Sequence, residues 1–165
     1  MRFYYSWRAS ADAKKEVYAS PTTAMDLKLN QRETEGIRIL DLHGRLVIGE
    51  SEAMLRTEIS ALASVKAVNV ILNLEGVTGI DDDGLGALVF CWARIASSGG
   101  ALKLLSRTRL HLSLMVVTKL ATVFEFFRNE QDAVDSFFPD RVVRPYDILE
   151  FVEEQEKRPA PDHPK

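Results

Sequence analysis

The segment Val68-Asn-Val-Ile-Leu-Asn-Leu74 is almost continuously apolar and rich in β-branched side chains. A strand with one wet face alternates apolar and polar residues. A strand without that alternation is buried on both faces, which favours a parallel or mixed sheet covered by helices. Few folds accommodate such a strand, so the rest of the chain must supply its neighbours and its cover.

The flanking patterns supply both. Leu27 and Leu29 alternate with Asp26, Lys28 and Asn30; after the turn Glu33-Thr-Glu-Gly36, Ile37, Ile39 and Asp41 alternate with Arg38, Leu40 and Leu42. This predicts a hairpin that ends at His43-Gly44, followed by a short extended piece, Arg45-Leu-Val-Ile48. Ser51 reads as an N-cap, and Met54, Leu55, Ile59 and Leu62 predict a helix over about 52–64. A second helix is expected over about 84–97, with Leu85, Leu88, Val89, Trp92 and Ile95 on one stripe and Ser98-Gly99-Gly100 as its stop. Ala101–Leu105 reads as a strand, and Leu110, Leu114, Val117 and Ala121 as a third helical stripe. Val123–Phe127 reads as a strand and Glu130–Phe138 as a helix. The order β-β-α-β-α-β-α-β-α describes a mixed sheet with crossover helices packed on it, an α/β single domain.

Residues 1–24 hold no periodicity for long and are expected to be a poorly ordered leader. Met25 begins the domain pattern and is a candidate for the true start. The domain spans 25–138. Residues 139–165 form an extension, in which Asp147-Ile-Leu-Glu150 has capping-box spacing and opens a short amphipathic helix before a disordered tail. That helix docks on its own domain, or serves a dimer or a partner; we expect self-docking.

Composition removes several classes. The formal charge of −3 and the scattered basic residues argue against a nucleic-acid binder. Cys91 is the one cysteine, so there is no intramolecular disulfide and no cysteine-based zinc site. No apolar run reaches the ~20 residues that span a bilayer. A cytoplasmic protein without membrane, nucleic-acid, metal or cofactor partners is the expectation.

What remains is Asp81-Asp-Asp83, three carboxylates at the mouth of the second helix. One or two are accounted for as helix caps, with Asp83 before Gly84-Leu85 in that role. An EF-hand fails, because Leu85 and Trp92 stand where its loop needs ligands. The stretch Ile80–Leu85 also resembles the haloacid dehalogenase motif. That implies a metal-dependent phosphohydrolase using Asp81 and Asp83, but Leu85 replaces the usual Thr or Val and the motif lies mid-chain. His43, His111 and His163 lack partners at catalytic spacing, and Cys91 reads as packing.

Over about 25–138 the chain most resembles the STAS domain (sulfate transporter and anti-sigma-factor antagonist), in particular the bacterial anti-sigma-factor antagonists. The specific part is Val70-Ile-Leu-Asn-Leu-Glu-Gly-Val-Thr-Gly-Ile-Asp81-Asp-Asp-Gly-Leu-Gly86. Gly44-Arg-Leu46, Gly99-Gly-Ala-Leu-Lys-Leu104 and Leu114–Leu120 support it. The resemblance implies the STAS fold and a non-enzymatic regulator of transcription. Its partner is an anti-sigma factor that is also a serine-kinase-type ATPase. Phosphorylation of a serine on this turn makes the family protein let go of that partner.

Asp82 stands at the phosphoacceptor position, and Asp83 at the serine position after it. The ordinary seryl switch therefore has no hydroxyl here. The implied partner surface takes in Asp81, Asp83, Gly84, Leu85, Arg45, Thr78 and Val47. Val47 stands where many antagonists carry Asp, and Thr78 is a rival phosphoacceptor. Lys119 replaces a common Gly, so the third helix is expected to end without a left-handed cap. A homodimer, or a scaffold role in a larger signalling assembly, stays open.

Overall fold

The computed structural model describes residues 15–18, 27–143 and 146–157. The strands are β1 (Lys15–Tyr18), β2 (Lys28–Thr34), β3 (Ile37–Leu46), β4 (Val70–Ile80), β5 (Leu102–Leu105) and β6 (Phe126–Phe127). They form one sheet in sequence order. β1, β2 and β3 pair antiparallel, and β3 to β6 pair parallel. The helices are α1 (Glu50–Leu62), α2 (Asp82–Ser97), α3 (Arg109–Val117), α4 (Glu130–Asp135) and α5 (Ile148–Lys157). This is the mixed sheet with crossover helices that the patterning requires.

β4 is covered on both sides. Val70, Leu72 and Leu74 pack into a large core with Met54, Leu55 and Ile59 of α1 and Leu88, Cys91 and Ile95 of α2. Ile71 faces the other way, into a smaller core with Ile37, Ile39, Leu105, Phe127 and Val134 of α4. All three of Val70, Ile71 and Leu72 are 0% exposed; each such side chain contributes roughly 1.5–3 kcal/mol on burial. Arg32 fastens α4 to the sheet. It donates to Asp41 on β3 and to both oxygens of Glu130. Cys91 is packing as expected, and burial pushes its thiol pKa up to about 12.

Several boundaries differ from the sequence reading. β3 does not end at His43-Gly44; it continues to Leu46, absorbing two register shifts between Asp41 and Arg45. Residues 15–18 of the expected leader pair with β2, a main-chain contact that needs no apolar alternation; the rest of 1–24 lies outside the described residues, as does the tail from 158 on. Ser51 is not the cap of α1. Gly49, at φ 108°, starts that helix earlier, and Ser51 Oγ instead donates to Val47 O (2.6 Å) and accepts from Val47 N–H (3.0 Å). The last strand shrinks to Phe126–Phe127, with a 3₁₀ turn at Leu120–Thr122 before it.

The largest difference is the face of α3. Of the expected stripe, Leu114 and Ala121 pack partly buried against the large core, but Leu110 and Val117 are 59% and 80% exposed, and His111, Leu112 and Met115 point inward instead. The buried imidazole explains the rotation. β4 outlasts β5, so Val77 O has no strand partner on that side, and His111 Nε2–H donates to it at 2.9 Å. Burial favours the neutral ring; in that form Nδ1 accepts from Ser106 Oγ at 2.8 Å, and both nitrogens are used. α5 docks on the large core through Phe151, 4% exposed, with Tyr146 beside it.

Burial holds the His111 pKa below its ordinary value. The unfolded chain therefore takes up a proton near pH 6.5 that the folded chain refuses, so this contribution is complete above that pH and lost on acidification below it. Urea midpoints measured from pH 7.5 to 5 should fall, and His111→Gln should flatten that slope while lowering stability throughout. Lys119 takes the left-handed conformation itself, at φ 62° and ψ 13°, rather than ending α3 without such a cap. Lys119→Gly should raise stability by up to about 1 kcal/mol in urea melts, since glycine relieves the Cβ clash at the cost of a freer unfolded chain.

Candidate functional site

The parallel register of β3 on β4 brings the candidate residues together. Arg45 lies opposite Gly79 and Leu46 opposite Ile80, so the chain leaving β3 and the chain entering α2 emerge side by side. Asp81 N–H donates back to Leu46 O. Val47 and Ile48 then stand beside the three aspartates. Arg45 and Thr78 sit one step down the paired strands, where Thr78 Oγ1 donates to Gly44 O at 3.3 Å.

The cap of α2 is Asp81, not Asp83. Asp81 is extended (φ −95°, ψ −176°) and its Oδ1 accepts from Gly84 N–H at 2.8 Å. Its other oxygen, Oδ2, accepts from Ile48 N–H at 2.9 Å. The reason is positional: an N-cap reaches the N–H two or three residues on, and helical geometry begins at Asp82. One carboxylate thus caps a helix and ties down the neighbouring loop. The hydrogen bond from Ile48 N–H, with that from Gly84 N–H, lowers its pKa below the usual value.

Asp82 and Asp83 occupy the first turn of α2 and are exposed. Among the described residues neither side chain has a hydrogen-bond or ion-pair partner. Their charge lies at the positive end of a 16-residue helix, where each carboxylate is stabilised by roughly 0.3–1 kcal/mol.

Gly84 is needed for contact. A Cβ there would lie 2.1 Å from Leu46 O, so the start of α2 packs directly on the end of β3. Leu85 is 8% exposed and belongs to the core more than to the surface. Val47 is half-buried, its N–H and C=O both held by Ser51. Ile48 was missed in the sequence: it is 67% exposed and touches this surface through its bond to Asp81. An isoleucine at the end of an alternating piece gives no sign that it faces water.

Asp81→Ala should cost about 1–2 kcal/mol in urea melts and free the Ile48 loop, seen as faster amide exchange at Ile48. Asp81→Asn should keep most of the cap. The depressed Asp81 pKa implies stabilisation that is complete above about pH 4 and lost as pH falls through the folded value; Asp81→Asn should remove that part of the acid sensitivity.

The sequence profile of the STAS domain matches residues 28–133. No curated protein matches the chain. An anti-sigma factor antagonist from Mycobacterium paratuberculosis superimposes with a TM-score of 0.58 at 18% identity, covering 69% of this chain and 96% of that one. The anti-sigma factor antagonist SpoIIAA in its unphosphorylated form gives 0.52 at 17% identity, covering 67% and 98%. The phosphorylated form of Bacillus SpoIIAA, a cell fate determinant, gives 0.51 at 18%, covering 66% and 98%. At such identities the structures speak for the fold, which is anti-sigma-factor antagonist-like. With the profile matching well over half of its length, the chain belongs to the STAS domain family.

Proposed function

We propose that this chain is a non-enzymatic cytoplasmic regulator of transcription. It takes part in partner switching with an anti-sigma factor of the serine-kinase ATPase type by standing for the phosphorylated antagonist, with Asp82 at the position of the switched residue. The observation that supports this is a division of labour on one turn. Asp81 is spent on main-chain N–H groups, whereas Asp82 and Asp83 are exposed and serve no contact of the fold. Side chains that the fold does not use are available to a partner.

A phosphoserine carries about −1.5 to −2 charges near neutral pH. Asp82 and Asp83 together place two fixed negative charges on the same turn. A kinase surface that rejects the phosphorylated antagonist would meet comparable repulsion and desolvation cost here. The protein is thus held in the released state toward an ordinary anti-sigma kinase. The phosphohydrolase reading draws little from the geometry: both oxygens of Asp81 already accept hydrogen bonds, so its carboxylate is held as a cap rather than presented as a nucleophile.

Binding of the anti-sigma kinases of the host genome to the wild type and to Asp82→Ser, measured by calorimetry, tests the proposal. The serine variant should bind at least one of them tenfold or more tightly, and should accept phosphate from ATP in its presence. Equal affinity of both proteins for every kinase would sink the switch-site reading.

A further inference from the structure

A second feature lies on the opposite face, away from the aspartates. β4 runs on to Ile80, whereas β5 stops at Leu105 and β6 at Phe127. The step in the sheet leaves a cleft of about 300 Å³ at the carboxyl ends of the two short strands, beside α4. That is the end of a parallel sheet at which α/β folds place their ligands, and the volume suits a small one. Leu105 forms its apolar wall; Asn73, Glu75, Arg107, Arg128, Asn129 and Glu130 supply the polar groups.

The hydrogen-bonding capacity left in the cleft has one sign. Glu75 is engaged through both oxygens by Arg107, and Glu130 through both by Arg32. Asn73 Oδ1 accepts from Glu75 N–H, and Asn129 Oδ1 accepts from the main chain of α4. Every acceptor side chain is occupied. The donors are not. Arg107 Nη1 and Asn129 Nδ2 have no partner among the described residues. Arg128 forms no hydrogen bond or ion pair there either; its guanidinium lies over the Tyr146 ring, 5.3 Å from the centroid. A cation–π contact of this kind uses the charge and leaves the guanidinium N–H groups free to fork onto two oxygens.

We propose that this cleft binds a small molecule through an oxyanion, carboxylate or phosphate, held by Arg128 with Arg107 and Asn129. Amide NMR spectra of the full chain, titrated with sodium phosphate or sodium acetate at ionic strength held constant with sodium chloride, test this. Saturable shifts at Arg107, Asn129 and Glu130 are expected with at least one anion, and the one that saturates at lower concentration identifies the group recognised. Arg128→Gln should raise the midpoint tenfold or more, and Arg107→Gln should raise it to a smaller extent. Both residues are on the surface, so the variants keep the fold, and an unchanged spectrum elsewhere verifies it. Shifts that never saturate with either anion, or midpoints unchanged in both variants, would overturn the proposal.

Discussion

Val70, Ile71 and Leu72 are consecutive and all fully buried, so neighbouring side chains of one strand point into two separate cores. That single constraint forces the sandwich. α1 and α2 must cover one face, α4 the other, and β3 and β5 must satisfy both edges of β4 along that length. Parallel pairing to β3 then follows from the helix that joins them, since α1 carries the chain back to the starting end of the sheet. The site is a product of the same pairing. β3 and β4 end flush at Leu46 and Ile80, so two unrelated loops meet there, and Asp81 joins them.

β4 also outruns its other neighbour, and the fold answers in two ways. On the helical side His111 reaches from α3 to the carbonyl of Val77, a backbone acceptor that β5 no longer serves. An unpaired buried carbonyl costs free energy on the order of 1–3 kcal/mol, so a neutral imidazole in this place is structural. On the other side the step stays open and becomes the polar cleft. Both features arise because β5 has four residues where β4 has eleven.

The sequence carries the fold wherever burial repeats with a clean period. The β3–β4–β5 pattern and the stripe of α1 were legible in apolar spacing, and that of α2 in part: Leu85, Leu88 and Ile95 are buried as expected, but Trp92 is exposed and Cys91 is buried in its place. The face of α3 was not. Leu110, Leu114 and Val117 make a better apolar stripe than His111, Leu112 and Met115, yet the second set is buried and only Leu114 of the first packs against the core. Satisfying Val77 O turned the helix, and no periodicity encodes a hydrogen bond to a distant strand. Lys119 misled for a similar reason: local propensity disfavours a left-handed lysine, but the connection from α3 into the 3₁₀ turn imposes it. At the site, three adjacent aspartates were visible as a cluster, while their division into one structural and two exposed carboxylates was not. That division depends on where the helix begins, a matter of one or two residues.

The placement of Asp82 and Asp83 bears on what negative charge can do at this turn. Two adjacent carboxylates repel one another, but on the first turn of α2 they face the positive end of the helix and are bathed in water. The dipole offsets the repulsion, and screening weakens what remains. The fold therefore tolerates permanent charge there at little cost. Moreover, the main-chain N–H groups that a phosphate would seek at a helix N-terminus are partly taken, since Asp81 already holds that of Gly84. Added charge on the turn thus neither draws the helix into a new arrangement nor strains the old one. The charge of Asp82 and Asp83 is left facing water beside the exposed Ile48 rather than serving the fold, which is the property that the proposed partner-reading site would require.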